Sequence, residues 1–426
     1  MKRTLVALAV VAAGLTPGTR TVDAQPTAGM VMVTGARLVD LGSNPGVSDA
    51  VILIKDGRVV RSGSPATVTV PEGARIVDVG GRFVMPGLVS AHVHMSNLAP
   101  VEAQLGVYAR YGITTVLSLG GEPASAFQAR AAQGTPPLGR ARLFLAGDII
   151  TSATPDAARA DVARVAASRP DMIKIRVDDN LGTAQKMAPE VFRAVIEEAH
   201  RHGLRVAAHV FYLDDAKALL RAGVDMIAHS VRDRDIDAEF IALMKAGNIP
   251  YCPTLTRELS TFVYESTPAF LEDPFFLREA DPTVVAGLKE PSRQEAMGKS
   301  KSAQAYKAAL VVAERNLRTA VNAGLLVVMG TDSGPFPERF QGYFEQVELT
   351  MMAAAGLTPA QVLRSATVDA ARAMKLPDVG TLAPGAWADF VVLDRNPLEN
   401  VRNTRSIHSV WIAGGAVPPA TRRSPS

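Results

Sequence analysis

Apolar and polar positions follow one pattern in the middle of the chain and another at its ends. Between residues 83 and 377, short apolar runs alternate with amphipathic stretches of helical period, a pattern typical of βα units around a parallel sheet. Eight units predict a closed (β/α)8 barrel in an α/β fold. The predicted strands are Phe83–His94, Thr114–Leu119, Ala141–Ile150, Met172–Val177, Arg205–Phe211, Asp225–Val231, Ile249–Leu255 and Leu325–Asp332, and the helices include Val101–Arg110, Ala157–Ala167, Pro189–His202, Asp214–Ala222, Ala238–Ala246 and Ala303–Ala323.

The two ends of the chain instead carry short alternating runs broken by Gly and Pro turns, from Met30 to about Gly81 and again after Leu382. Period-2 alternation between such turns is typical of β-strands. We predict that residues 25–82 and 378–426 form one small β-sandwich domain, which leaves residues 83–377 to the barrel.

An insertion separates the seventh predicted strand from its helix. Residues 256–302 contain Pro268, Pro274, Pro282 and Pro291 among scattered aromatic residues. Because the carboxyl ends of barrel strands feed the catalytic face, a long insertion here predicts a lid or a binding loop. The alternative is a solvated helical excursion without a role in turnover.

Residues 1–24 have the pattern of a secretory signal peptide. Lys2 and Arg3 precede an apolar stretch over Thr4–Leu15, and small residues end the segment at Ala24. Its apolar part is shorter than the roughly 20 residues that span a bilayer, which favours cleavage over a retained anchor. The expected location is periplasmic or extracellular, with no membrane attachment after cleavage.

Composition narrows the functional classes. A hydrophobic content of 47% and a charged content of 20% are ordinary globular values and argue against disorder or a polytopic membrane protein. The formal net charge is +3. The sequence has no basic run interleaved with aromatic residues, so a nucleic-acid partner is not predicted. Cys252 is the only cysteine, so no intramolecular disulfide can form, and we interpret it as a small buried residue rather than a nucleophile. Composition leaves a homo-oligomer open.

His92 and His94 end the first predicted strand. Residues i and i+2 of a strand point to the same side, so the two imidazoles converge inside the barrel. His200 and His202 have the same spacing, but they lie at a helix end, where i and i+2 diverge by about 200°. Spacing alone is therefore weak evidence, and we interpret the second pair as structural or exposed.

Three further residues belong to the same rim. His209, His229 and Asp332 lie near the ends of the fifth, sixth and eighth predicted strands. Imidazole and carboxylate are ligands of zinc and similar ions, and this face holds the catalytic groups of barrel enzymes. Each residue alone could be a satisfied buried group, but their convergence predicts a metal site.

Lys174 is an amine within the apolar fourth strand. Burial favours its neutral form, and a neutral lysine can add carbon dioxide to become a carbamate, an anionic ligand with two oxygens. The alternative is a lysine paired with an inward-facing acid. The surrounding ligands favour the carbamate, N6-carboxylysine.

These motifs resemble the amidohydrolase superfamily, in particular its binuclear branch with a carboxylated lysine, and are similar to imidazolonepropionase-related prolidase-like dipeptidases and ochratoxin-degrading amidohydrolases. The resemblance rests on Gly81–His94, the strand-four lysine, the later histidines, Gly330–Ser333, Gly380–Leu393 and Val410–Gly415. It implies two divalent ions, with zinc expected. One ion would be held by His92, His94 and Asp332 and the other by His209 and His229, with carboxylated Lys174 bridging them.

The resemblance implies hydrolysis of an amide in a small peptide or N-acyl amino acid by a metal-bridging hydroxide. Asp332 is the expected general base, and Tyr212, Arg232 and Arg257 are candidates to bind a substrate carboxylate. Alternatives are a lactonase or other ester hydrolase, a mononuclear imidazolonepropionase-like enzyme, and a metal-free scaffold.

Overall fold

The computed structural model describes residues 29–419. The predicted signal peptide, residues 1–24, lies outside the described residues. Among the helices that are described, none combines the length and apolar character needed to cross a membrane.

The described strands fall into a sheet built from both chain ends and a ring of parallel strands between them. In chain order they are β1 (Met30–Asp40), β2 (Gly46–Lys55), β3 (Arg58–Gly63), β4 (Arg75–Asp78), β5 (Phe83–Pro86), β6 (Leu88–Val93), β7 (Ile113–Ser118), β8 (Arg142–Leu145), β9 (Ile173–Val177), β10 (Val206–Val210), β11 (Met226–Ile227), β12 (Phe390–Leu393), β13 (Ile407–Ile412) and β14 (Gly415–Ala416).

The helices surround the parallel ring, and several cross over between its strands. They are α1 (Val101–Arg110), α2 (Ala124–Ala131), α3 (Pro155–Ala167), α4 (Pro189–Arg201), α5 (Leu213–Arg221), α6 (Ala238–Gly247), α7 (Leu255–Leu259), α8 (Pro274–Leu277), α9 (Pro282–Leu288), α10 (Pro291–Lys299), α11 (Lys301–Asn322), α12 (Tyr343–Ala354), α13 (Pro359–Ser365) and α14 (Val368–Met374), with 3-10 turns at Ala132–Gly134, Val263–Glu265, Ala269–Glu272 and Val401–Arg405.

The ring forms an α/β barrel. Strands β6 to β8 and β9 to β11 pair in parallel. Single parallel bridges complete the circle through Ile150 to Ile175, Ile227 to Tyr251, Tyr251 to Val327 and Ser333 to Val93. All eight predicted strand segments thus contribute to the ring. The seventh is reduced to the bridge at Tyr251, because Pro250 and Pro253 flank this position and lack the N–H that a longer ladder needs.

The sheet from the chain ends is a single sheet, where the sequence pattern predicted a sandwich of two. Its strand order is β14-β13-β12-β5-β1-β2-β3, with β4 paired to β1. The β3 edge meets the segment entering β12 through a bridge between Arg58 and Trp387, so the sheet curls around its own core. Alternation identifies the buried face of each strand, but it cannot distinguish a curled sheet from two packed sheets.

The boundary between the sheet and the barrel differs from the prediction by a few residues. Phe83–Pro86, expected in the first barrel strand, forms β5 and pairs with β1 and β12. The chain then passes into β6 at Gly87, where an added Cβ would lie 2.1 Å from Oγ1 of Thr114. Only glycine allows this close approach.

The insertion packs against outer helices for most of its length. The hydroxyl of Tyr111 donates to the carbonyl of Phe276 at 2.9 Å, and Arg110 pairs with Glu279 at 2.6 Å. The insertion reaches the barrel mouth through its first turn, α7, which carries Arg257 and Glu258. The predicted lid function remains a prediction.

A buried ion pair joins the barrel to the curled sheet. Arg142 of β8 donates to Asp389 at 2.6 Å and stacks 3.8 Å from the Trp387 ring centroid, and both side chains of the pair are 3% exposed. Asp389 also accepts the backbone N–H of Ala413 at 2.7 Å. Removing one partner of such a pair strands the other charge in a low-dielectric environment.

We therefore expect Arg142→Met to destabilise the fold by about 3–5 kcal/mol, measured by urea unfolding. The matched control is Arg164→Met, because Arg164 pairs with Asp148 in an exposed geometry, 58% and 62% exposed. An unfolding midpoint for Arg142→Met as close to wild type as that of the control would contradict this role.

Candidate metal centre

Four imidazoles converge at the carboxyl end of the barrel strands. His92 lies on β6 with His94 just beyond it, His209 lies on β10, and His229 follows β11. Their ring centroids are 5.5 Å apart for His92 and His94, 4.6 Å for His92 and His229, and 4.1 Å for His209 and His229. The structure thus brings together the four predicted histidines.

Each imidazole is fixed through one ring nitrogen. The Nδ1 atoms of His92, His94 and His229 bond the carbonyl of Ala228 at 2.8 Å, the carbonyl of Gly120 at 3.0 Å and Oγ1 of Thr254 at 2.7 Å. His209 uses Nε2, which bonds Oδ2 of Asp178 at 2.7 Å. The other nitrogen of each ring is left to act as a ligand, which is the outer-shell arrangement of metal-binding histidines.

Burial favours the neutral form of three of the imidazoles, those of His92, His209 and His229. It lowers the pKa of His92 to about 3 and the pKa values of His209 and His229 well below their usual range. Neutral imidazole is the form that binds a metal, so the ring nitrogens need not lose a proton at physiological pH.

Asp332 lies against the first two histidines. Its Oδ1 is 2.8 Å from Nε2 of His94 and 3.3 Å from Nε2 of His92, and its Oδ2 accepts a hydrogen bond from Arg339. Burial would raise its pKa, but the charge of Arg339 and the two histidine bonds hold the pKa well below the usual range. The carboxylate is therefore ionised, as a ligand must be.

Lys174 reaches the same cluster from β9. Its Nζ lies 3.3 Å from Nε2 of His92, and 3% of the residue is exposed. Burial is the main cause that lowers its pKa, to about 8. The amine is therefore closer to its neutral form than a surface lysine, which is the form that reacts with carbon dioxide.

The donor set suits a divalent ion. Ligand atoms of His92, His229 and Asp332 lie within 4.8 Å of one another, and neutral imidazole with an ionised carboxylate is the chemistry that zinc and related ions accept. Glycine at position 330 lets the chain approach this closely, because an added Cβ would lie 2.8 Å from Cβ of His92.

The three predicted substrate-binding residues differ in their surroundings. The Tyr212 hydroxyl donates to Asp179 at 2.8 Å at the barrel mouth. Arg257 lies near the cluster, with Nη1 2.9 Å from Glu258 and Nη2 3.3 Å from the Tyr306 hydroxyl. Their predicted role in substrate binding remains a prediction.

Arg232 does not fit its predicted role. Its side chain is fully buried, and Nη1 donates at 2.7 Å to the carbonyls of Val210 and of Ser230. Nε lies 2.9 Å from Glu258. These contacts make Arg232 a structural support of the strand ends. The sequence pattern could not show this, because spacing does not tell whether an arginine after a strand turns into the core.

The second histidine pair lies away from the cluster, whereas Cys252 is packed beside it as a buried residue. His200 pairs with Asp225 at 2.9 Å with 44% of its side chain exposed, and His202 lies 3.4 Å from Glu198. Cys252 is fully buried, and burial raises the pKa of its thiol well above the usual value. An unreactive protonated thiol results.

Sequence reasoning missed Asp178, Thr254 and Arg339. Asp178 had a usable signal, since it lies four residues after Lys174 and strand alternation places both on the inward face. Thr254 is likewise two residues beyond Cys252 on the seventh segment. Arg339 lies in the loop after Asp332, where no periodicity predicts its direction.

A parallel barrel with imidazole and carboxylate ligands at its carboxyl rim is the architecture of metal-binding barrel enzymes. The amidohydrolase family model matches residues 83–417, so the chain belongs to the amidohydrolase family.

Several named proteins are similar to this chain. An ochratoxinase from Aspergillus niger is 26% identical over 243 residues, 56% of this chain and 42% of that protein, so the match spans less than half of that relative. An imidazolonepropionase from Deinococcus deserti is 26% identical over 424 residues, 87% of this chain and 92% of the relative. The crystal structure of a prolidase-like protein from Bifidobacterium longum superposes with a TM-score of 0.77 at 25% identity, covering 93% of this chain and 96% of that one.

Asp178→Asn should weaken divalent-metal binding by about 10- to 100-fold, because His209 loses the carboxylate that fixes its orientation. Competition with a chromogenic chelator measures the affinity. Asp148→Asn, an exposed control at 62% exposure, should leave it unchanged. Equal affinities for the two variants would show that Asp178 does not orient a ligand.

Proposed function

We propose that this chain is a binuclear metal-dependent hydrolase that cleaves an amide bond in a small peptide or an N-acyl amino acid. The observation that carries the proposal is the contact of buried Lys174 with His92 inside the histidine cluster. The ammonium form of Lys174 would repel a metal ion bound in this cluster, whereas a negatively charged carbamate on the same nitrogen would attract it.

The proposed holders of two divalent ions are His92, His94 and Asp332 for one and His209 and His229 for the other, with carboxylated Lys174 shared; zinc is the expected metal. When bound, such a pair lowers the pKa of a shared water and polarises the scissile carbonyl. This chain and its ochratoxinase relative belong to the amidohydrolase family, and this membership supports hydrolysis of an amide bond.

Carboxylation of Lys174 requires no reagent other than carbon dioxide. The neutral Nζ attacks the carbon of carbon dioxide, one C=O electron pair moves to oxygen, and an N–H proton leaves to solvent. The lowered pKa of Lys174, about 8, makes the required lone pair available. The product is an anion in place of a cation.

Asp332 is proposed to accept the proton of the attacking water on Oδ and return it to the leaving nitrogen. Arg339 bonds the other oxygen of Asp332 and so fixes which oxygen faces the cluster. Tyr212 and Arg257 at the barrel mouth are proposed to position the substrate, with a carboxylate as the group that suits Arg257.

A mononuclear imidazolonepropionase-like activity is the second candidate, favoured by a match along 92% of such a relative. That reading gives Lys174 no role as a ligand. Export, predicted from residues 1–24, is retained as part of the proposal.

Lys174→Ala should bind one ion fewer per chain and lose more than about 100-fold in kcat, since losing an outer-shell group alone costs 10- to 100-fold. Elemental analysis and kinetics on one sample measure both. Lys245→Ala, an exposed lysine on α6, is the control. Full activity of Lys174→Ala with one bound ion would refute the two-metal assignment.

Reconstitution of metal-free protein provides an independent test of the carbamate. In carbon-dioxide-depleted buffer, zinc should restore little activity, and added bicarbonate should restore most of it, because the bridging anion requires carbon dioxide. Equal recovery with and without bicarbonate would exclude a carbamate on Lys174.

A substrate screen tests the proposed reaction itself. Dipeptides and N-acyl amino acids should be hydrolysed, with release of the free amino acid followed by a ninhydrin assay. Lactones and imidazolonepropionate serve as the competing substrates. Turnover confined to either competitor would overturn the amidase proposal.

A further inference from the structure

Two buried glutamates of α12 lie against the turns that carry the candidate metal centre. Glu345 and Glu348 are three residues apart, which places them on one face of the helix, and both are fully buried. Neither is a proposed metal ligand or a proposed general base. The hydrogen bonds of each glutamate lead to a different part of the centre.

Glu345 holds the turn that carries Asp332. Its Oε1 accepts hydrogen bonds from the hydroxyls of Thr331 at 2.5 Å and Ser333 at 2.8 Å, the residues on either side of Asp332. A third hydroxyl, that of Ser90, donates at 3.3 Å from β6. One carboxylate oxygen therefore ties the Asp332 turn to the strand that carries the first histidine.

Glu348 holds the turn that carries Thr254, and both of its oxygens accept hydrogen bonds. Oε1 accepts the backbone N–H of Leu255, and Oε2 accepts the backbone N–H and the hydroxyl of Thr256, each at 2.8 Å. Thr254 comes immediately before these residues and bonds Nδ1 of His229 at 2.7 Å. The glutamate thus fixes the backbone that positions the His229 ring.

Each glutamate bonds residues next to a strained backbone position. The angle φ is 60° at Asp332 and 50° at Thr254, in a region that residues other than glycine rarely occupy. Such conformations persist only when their surroundings hold them. The hydrogen bonds to α12 restrain the chain at both positions.

Stability alone does not explain these two carboxyl groups. Burial raises the pKa of both, that of Glu348 to about 8, so each carboxylate is costly to keep ionised at neutral pH. Oε2 of Glu345 also has no hydrogen-bond partner among the described residues, and burying an unpaired polar atom costs free energy. Their hydrogen bonds indicate a role in the metal centre instead.

We propose that Glu345 and Glu348 are positioning residues of the metal centre, which act through the Asp332 turn and the Thr254 turn, respectively. Because α12 carries both, it fixes a ligand of one proposed ion relative to a ligand of the other. The inference rests on the proposed metal centre and is independent of the substrate.

Substitution by glutamine should affect the two positions differently. Glu345→Gln keeps an acceptor oxygen for the three hydroxyls and places its NH2 group where Oε2 has no partner, so zinc affinity should stay within about 3-fold of wild type. Glu345→Met removes the acceptor and should weaken zinc binding by about 10- to 100-fold. Glu348→Gln should weaken it by about as much, because either orientation of the amide turns its NH2 group toward a backbone N–H. Competition with a chromogenic chelator measures these affinities.

Gln346→Met is the matched control, because Gln346 is a buried polar residue of the same helix whose hydrogen bonds lead away from the centre. Its Nε2 donates to the carbonyl of Tyr111 at 2.8 Å, and its Oε1 accepts from Thr404 at 2.7 Å. The control should lower the midpoint of urea unfolding but leave zinc affinity unchanged. It should also keep the visible spectrum of the cobalt-loaded protein, which reports ligand geometry and should change in Glu345→Met and Glu348→Gln.

Two isosteric variants test the same hydrogen bonds from the other side, without a change in α12. Thr331→Val deletes a hydrogen bond to Glu345, and Thr256→Val deletes one to Glu348. Each should weaken zinc binding by about 5-fold, the equivalent of one lost hydrogen bond. They keep the inference testable if a glutamate variant does not fold.

Zinc affinities and cobalt spectra of Glu345→Met and Glu348→Gln that match those of Gln346→Met would overturn the inference. Zinc binding as weak in Glu345→Gln as in Glu345→Met would also overturn it, because an acceptor oxygen would then not be what the turn requires. If wild type binds zinc and the glutamate variants match the control, only the positioning role fails. Wild-type protein that binds no zinc would contradict the proposed function itself.

Discussion

The candidate metal centre depends on hydrogen bonds that fix one ring nitrogen of each of the four histidines. Each ring has one nitrogen bonded to a buried acceptor, and two of these acceptors are the backbone carbonyls of Ala228 and Gly120. The rings therefore cannot turn without breaking a bond that burial makes expensive. Both carbonyls lie just beyond barrel strands, Ala228 after β11 and Gly120 after β7, so the barrel backbone itself orients these two rings.

Two residues of the candidate site have strained backbone conformations. Asp332 and Thr254 adopt left-handed conformations, with φ of 60° and 50°. Residues other than glycine rarely occupy this region, and such conformations persist when the surrounding packing determines them. Asp332 is a proposed ligand, and Thr254 bonds His229. The strained backbone positions therefore orient groups of the candidate site.

Much of this could be predicted from the sequence because strand alternation is a local rule. Eight apolar segments separated by helices specify a barrel. Alternation along the first strand places His92 and His94 on the inner face of the barrel, and alternation along the fourth strand does the same for Lys174. The same rule reaches Asp178, which was overlooked. It does not reach Arg339, whose direction is set by a loop, or Arg232, which turns into the core. Nor does it show that the terminal strands curl into one sheet, because that depends on contacts between residues about 330 positions apart, as at Arg58 and Trp387.

Anomalous diffraction from crystals of the metal-loaded protein tests the two-metal account most directly. The account predicts two peaks inside the histidine cluster, about 3.5–4 Å apart as in two-metal sites, with density continuous from Nζ of Lys174 to a three-atom carboxylate between them. A single peak with an unmodified amine at Lys174 would contradict it.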